Sequence, residues 1–177
     1  MKPEAKRPAA RTLFRRADLL AAGIVGVLTL AVFLPAISGD FVLYDVRWLV
    51  LENPQVMDGL DLSDVGWSLT TDEYGFPKPL TFLSLALDVS LFGPGPTGFH
   101  LTNVLLHVAN TVLVFGFFFR AKRNLPLAVV AALFWGLHPM RVESVAWVVE
   151  RKDVLSGLFA LLAFHAWLSW GRHRHWR

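Results

Sequence analysis

The chain has 177 residues, 54% hydrophobic and 18% charged, with a mean hydropathy of +0.47. A soluble domain carries about 25% charged residues, and here the apolar residues gather in long uncharged runs, which argues against an ordinary soluble domain. The formal charge is +3, but the basic residues flank apolar runs as membrane anchors do, so the charge does not point to nucleic acid, and the lack of cysteine excludes disulfides, thiolate metal sites and cysteine nucleophiles.

Residues 1–18 are a basic N-terminus with Lys2, Lys6, Arg7, Arg11, Arg15 and Arg16. The uncharged stretch 19–37 predicts the first transmembrane helix, because about 20 apolar residues in a helix cross the ~30 Å bilayer core. A signal peptide also begins with a basic segment, but its apolar part is about 7–15 residues long. The longer run is therefore read as an uncleaved anchor.

Residues 38–97 form a large acidic loop. It holds Asp40, Asp45, Glu52, Asp58, Asp61, Asp64, Asp72, Glu73 and Asp88, against only Arg47 and Lys78 as basic residues. Its start, 40–50, is β-branched and aromatic without a helical period. Glu52-Asn53-Pro54 and Met57-Asp58-Gly59 are turn signals, and Ser63 is placed to cap a short helix ending at Thr70. Leu80, Leu83, Leu87 and Leu91 fall on one helical face. Asp88 interrupts that apolar run, so a helix near 80–92 is expected to lie in the membrane interface, and Gly93-Pro94-Gly95-Pro96 ends it.

Residues 98–119 predict the second transmembrane helix, and 120–124 a short link with Arg120, Lys122 and Arg123. Residues 125–138 predict the third helix, 139–153 a second outer segment, 154–171 the fourth helix, and 172–177 a basic tail with Arg172, Arg174 and Arg177. The third run is short for a span, but dropping it would place the last two basic clusters on opposite sides. With four spans all the clusters share one side, the cytoplasm by the positive-inside rule. The expected fold is an all-α membrane protein with about four transmembrane helices and a large extracytoplasmic loop bearing short interfacial helices. It would sit in a bacterial inner membrane with both termini cytoplasmic.

Ionisable residues in or beside spans are costly, which makes each a functional candidate. Asp45 is placed for a general base at the membrane surface, or for a solvated loop acid. His100, Asn103 and His107 share one face of the second span, either lining a polar cavity or bonding to neighbouring helices. Two histidines seven apart do not have the usual spacing of metal ligands. The segment His138-Pro139-Met140-Arg141-Val142-Glu143-Ser144, with Glu150-Arg151-Lys152-Asp153, carries cations on the outer side against the positive-inside trend. Arg141, Arg151 and Lys152 are suited to a phosphate. Glu143, Trp147 and Glu150 are expected on one helical face, and local pairs such as Glu150 with Arg151 or Lys152 with Asp153 are the structural alternative.

The ordered segments Phe41-Val42-Leu43-Tyr44-Asp45, Glu52-Asn53-Pro54, Lys78-Pro79-Leu80-Thr81-Phe82-Leu83-Ser84, His100 to His107, His138 to Trp147 and Glu150 to Ser156 resemble the N-terminal part of the membrane O-mannosyltransferase-like proteins that carry tetratricopeptide repeats, in the glycosyltransferase C superfold. The resemblance implies a polyprenyl-phosphate-linked sugar as donor and a hydroxyl acceptor, such as Ser or Thr of an exported protein. It maps the catalytic base to Asp45 and the leaving phosphate to Arg141, Arg151 and Lys152. His138, Glu143, His100, Asn103 and His107 would support them. A divalent cation held by acidic oxygens is compatible with the loop, without a defined ligand set. Two departures stand out. Val46 occupies the position where the family pairs a second acid with the first, and family members continue through further spans and a repeat domain. An incomplete enzyme needing a complementing subunit is therefore expected, with a non-catalytic membrane scaffold or partner subunit as the alternative.

Overall fold

The computed structural model describes residues 15–71, 75 and 77–173, with side chains up to Gly171. The basic residues Lys2, Lys6, Arg7 and Arg11, the acids Asp72 and Glu73, and the tail residues Arg174 and Arg177 lie outside the described residues. Among the described residues the regular structure is helical: α1 Arg16–Ile37, a π-helical turn Arg47–Leu51, α2 Pro54–Met57, α3 Leu62–Thr70, α4 Pro79–Phe92, α5 Pro96–Lys122, α6 Leu125–Gly136, α7 Arg141–Ala146, a 3-10 turn Val148–Glu150, and α8 Arg151–His173.

Local chemistry sets most helix ends. Proline stands in the first turn of α2, α4, α5 and α6, where its missing N–H has no helical partner to lose. Asn53 and Asn124 cap α2 and α6. Asp61, rather than Ser63, caps α3: its side chain accepts from the Leu62 N–H at 2.6 Å, and the Asp64 carboxylate accepts the Asp61 N–H at 2.7 Å. Two of the loop's nine acids, Asp61 and Asp64, are thus committed to capping. Gly93 ends α4 at φ +80°, a conformation that suits glycine alone.

Helix α5 is the central post, packed by α1, α6, α8, α4 and α7. One core joins Val25 of α1 with Val114, Phe115 and Phe119 of α5 and Ala128 and Ala132 of α6. A second lies under the loop, built from Val46, Val50, Val56, Phe82, Leu85, Val89, Phe99, Val148 and Val149. Elsewhere the helices show bare apolar faces, with Leu20 of α1, Phe134 of α6 and Trp167 of α8 each more than 60% exposed. Such surfaces belong in hydrocarbon, and the chain is an all-α integral membrane protein.

Three helices are long and apolar enough to cross a bilayer: Arg16–Ile37, Pro96–Lys122 and Val148–Gly171. Helix α6 has 12 residues, about 18 Å at 1.5 Å per residue. The chain continues its climb along α5 in a different form. The Gly136 carbonyl accepts from His107, the Val145 carbonyl from Asn103, and Arg151 reaches the Phe99 carbonyl. Those contacts step up α5 one turn at a time, so the third passage along the bundle is a broken helix, α6 followed by a loop and α7. The break lies where Gly136 presses on Thr111, leaving no room for a Cβ.

Candidate active site

At the loop end of the bundle, a small pocket of about 60 Å³ gathers residues from three separate parts of the chain. Asp45 enters from the segment after α1, where its neighbour Val46 is fully buried and fixes the backbone. The Leu49 N–H donates to the Asp45 carbonyl at 3.1 Å, and Tyr44 lies 6.1 Å from the Trp147 ring. Lys78 precedes the Pro79 start of α4. Glu150 and Lys152 come from the start of α8, with the Lys152 ammonium donating to the Glu150 carboxylate. Thr81, Phe82, Leu85 and Val149 complete the walls.

The four charged groups sense one another. Burial pushes the Lys78 ammonium below the ordinary lysine value, and nearby Lys152 adds to that, while Glu150 and Asp45 pull it back up. Beside the pocket, and sharing Lys78, Thr81 and Lys152 with it, runs a more open and mainly apolar groove of about 310 Å³. Pro77, Pro79 and Leu80 form one bank, and Leu155 and Phe159 of α8 the other.

Arg151 is not in the pocket. Its side chain is fully buried and forms a 2.5 Å ion pair with Asp88 of α4. It also donates to Asn103 Oδ1 at 2.8 Å, the Ser84 carbonyl at 3.1 Å and the Phe99 carbonyl at 2.8 Å. Thr102 completes the cluster by donating to Asp88 at 2.7 Å. A buried guanidinium needs such partners to offset desolvation, and none of its faces is left for a phosphate. Arg151 instead locks the start of α8 to α4 and α5, which aims the adjacent Lys152 at the pocket. The local pairing differs from expectation too: Glu150 takes Lys152, and Arg151 takes the distant Asp88.

Arg141 stands apart, its guanidinium 4.4 Å from the centre of the Trp135 ring. Trp135 stacks on His107 at 5.4 Å, and His107 meets Phe33 edge-on at 4.7 Å. His107 and Asn103 are buried and bonded between helices. His100 is buried beside Phe41. His138 is exposed and accepts the Met140 N–H, and Glu143 is exposed. Trp147 is extended and separates α7 from the 3-10 turn, so Glu143, Trp147 and Glu150 do not share a continuous helical face. Among the described residues, no group of three or more His, Asp or Glu side chains is placed to hold a metal.

Two residues of this region carry more weight than their sequence context suggested. Lys78 sits within a recognisable motif but gave no separate signal. Asp88 was visible as a charge in an apolar run, which is the costly situation that calls for a buried partner.

Most of the chain is similar to known proteins. The chain is 36% identical over 149 residues to the human protein O-mannosyl-transferase TMTC1, 34% identical over 192 residues to the Drosophila melanogaster Tmtc1, and 33% identical over 163 residues to human TMTC4. The chain belongs to the membrane O-mannosyltransferase-like family. These alignments take in 77%, 98% and 80% of this chain but 16%, 21% and 22% of the relatives, so it spans about one fifth of their length. No family model and no solved structure matches it.

Proposed function

We propose that this chain forms the base-bearing and donor-phosphate part of a membrane glycosyltransferase that moves a sugar from a polyprenyl phosphate to a hydroxyl acceptor. The observation that carries this reading is the meeting of Asp45, Lys78 and Lys152 in one pocket beside an apolar groove. A sugar phosphate on a long apolar chain needs that combination: cations for the phosphate, a lipid-facing trough for the chain, and a carboxylate near the acceptor. The names of the relatives support sugar transfer to a protein.

In the proposed reaction the acceptor oxygen attacks the anomeric carbon and its proton passes to the Asp45 carboxylate. The bond between that carbon and the phosphate oxygen breaks, and its electron pair stays on the phosphate. Negative charge grows on the phosphate during this step, and the fixed ammonium groups of Lys78 and Lys152, at the edge of a low-dielectric region, stabilise it. Arg151 acts through position alone. The pocket faces the extracytoplasmic side of a bacterial inner membrane in this reading, with Arg15, Arg16 and the 120–124 link on the cytoplasmic side and an exported protein as acceptor. Further spans, or a complementing subunit, would supply the rest of the acceptor site.

A second reading, a non-catalytic scaffold or partner subunit, is favoured by one observation. Val46, where the family carries a second acid, is fully buried in the apolar core under the loop, so Asp45 lacks that partner. Binding and release of a sugar-labelled polyprenyl phosphate by the protein in nanodiscs separates the two. The enzyme reading expects binding by wild type and Asp45→Asn, with release by wild type only. Binding without release by both supports the scaffold, and no binding by wild type overturns the donor site.

A further inference from the structure

Arg141, the first residue of α7, takes part in no ion pair among the described residues. Its guanidinium carbon lies 4.4 Å from the centre of the Trp135 ring, a cation–π contact that leaves guanidinium N–H groups available as donors. One turn earlier, His138 Nδ1 accepts the Met140 N–H at 3.2 Å, which leaves the ring proton on Nε2 as a second donor at the break between α6 and α7. We infer that Arg141, braced on Trp135, binds the phosphodiester group of a membrane phospholipid at the loop end of the bundle, at a site separate from the pocket of Asp45, Lys78 and Lys152. The inference rests on the membrane-spanning architecture and not on the donor reading.

Depth carries it. Arg15, Arg16, Lys122 and Arg123 mark one face of the bilayer. At about 1.5 Å per residue, His107 lies about 22 Å along α5 from Lys122, and Phe33 about 25 Å along α1 from Arg16. Those two rings meet edge-on at 4.7 Å, Trp135 stacks on His107 at 5.4 Å, and Arg141 covers Trp135. The ring stack therefore sets the guanidinium a few ångströms inside the far face of a hydrocarbon layer of ~30 Å. A charge at that depth is costly without a counter-ion. The acids nearest in sequence do not supply one: Asp153 accepts from Ser144 at 3.2 Å, and Glu143 is exposed and forms no ion pair among the described residues. Phosphate is within reach, because a long arginine side chain extends from apolar surroundings to the headgroup layer. A guanidinium also matches two phosphate oxygens at once, and indole rings favour the same interface. Val130 and Phe134 of α6, with Met140 and Val142 on either side of Arg141, are exposed and form an apolar rim suited to acyl chains. A lipid satisfies the cation from the headgroup layer without burying a second charge, which favours it over a carboxylate on another protein helix.

The test uses a phosphatidylcholine with a diazirine at the glycerol end of one acyl chain, photoactivated in membranes holding the full chain and mapped by mass spectrometry. Wild type is expected to be labelled within 134–142. Arg141→Gln is expected to lose about fivefold or more of that labelling, with an unfolding midpoint in detergent close to that of wild type. Arg141→Lys, which keeps the charge, is expected to retain about half or more. Lys78→Gln is expected to leave the labelling unchanged. Excess unlabelled phospholipid is expected to compete, whereas phosphate-free diacylglycerol and inorganic phosphate are not. Labelling of Arg141→Gln within about twofold of wild type, or equal competition by diacylglycerol, would overturn the phosphate contact. Arg141→Lys falling as far as Arg141→Gln with its fold intact would overturn charge as the cause. Competition by inorganic phosphate would show a free-anion site, and no labelling of wild type would leave a protein carboxylate as the partner of Arg141; either result overturns the lipid. Loss of labelling in Lys78→Gln would place the contact in the donor pocket and overturn the separate site.

Discussion

Arg151 and Asp88 form a fully buried ion pair at 2.5 Å between the first residue of α8 and the middle of α4, 63 positions apart in the chain. Asn103 and Thr102 of α5 each bond one member of it, so three helices are fixed at one point directly behind the pocket. Removing one member of a buried pair leaves the other charge without compensation, at a cost of about 3–5 kcal/mol. Asp88→Ala is therefore expected to destabilise the protein by roughly that amount, read as a large drop in the thermal unfolding midpoint in detergent. The double variant Asp88→Ala with Arg151→Met is expected to recover much of the loss. A double variant no better than the single one would show that the pair does not act as a unit.

Asp45 is half-buried and, among the described residues, its side chain makes no ion pair comparable to that of Asp88. Asp45→Asn is expected to leave the unfolding midpoint nearly unchanged while lowering sugar release by about 10²–10⁴-fold, the usual worth of a general base. Release assays on donor-loaded protein, with unfolding curves alongside, check both halves of that expectation.

Lys78 gives a pH dependence with a definite sign. Its ammonium is less favoured in the folded protein than in the unfolded chain, where the ordinary value is 10.5, so the unfolded state binds more protons as pH rises towards that value and stability should rise with pH there. Lys78→Met is accordingly expected to leave stability unchanged or slightly improved, while weakening the lipid phosphate. In the wild type, affinity for the phosphate should fall as pH climbs through the lowered lysine value, earlier than for an unperturbed lysine. Titrations of binding from pH 7 upward, in wild type and Lys78→Met, would show whether the fall belongs to Lys78.

Gly136 marks the break between α6 and α7. A Cβ there would lie 2.5 Å from Thr111 Cγ2 and 2.7 Å from its Oγ1, well inside contact distance. Overpacking of this kind costs about 1–3 kcal/mol, so Gly136→Ala should destabilise by that much. Thr111→Ala, added to it, is expected to relieve most of the loss, and differential unfolding of the single and double variants measures the relief.

Much of this architecture is legible in the residues, for a physical reason: hydrocarbon tolerates charge so poorly that helices able to cross it announce themselves as long uncharged runs. The runs behind α1, α5 and α8 are of that kind, and Leu80, Leu83, Leu87 and Leu91 disclose α4 by their period. Asp45 and Lys152 stand out through their place beside spans. What periodicity does not carry is pairing over distance. Nothing local to Arg151 says that its partner is Asp88 and not Glu150, because both carboxylates are chemically equivalent and only the packing of α4 against α5 and α8 brings the distant one near. The same holds for Lys78, whose importance comes from lying opposite Lys152. The end of α6 at Gly136 combines packing against Thr111 on the neighbouring helix with a local signal, His138-Pro139, where the chain turns polar and proline cannot continue the helix.

The donor site is tested most directly by photo-crosslinking. An isoprenyl phosphate sugar with a photoreactive group on the chain, activated in membranes containing the protein and mapped by mass spectrometry, is expected to label 77–81 and 155–159, with labelling reduced by Lys78→Gln. Labelling confined to the opposite end of the bundle, around 120–125, or unaffected by Lys78→Gln, would contradict the site.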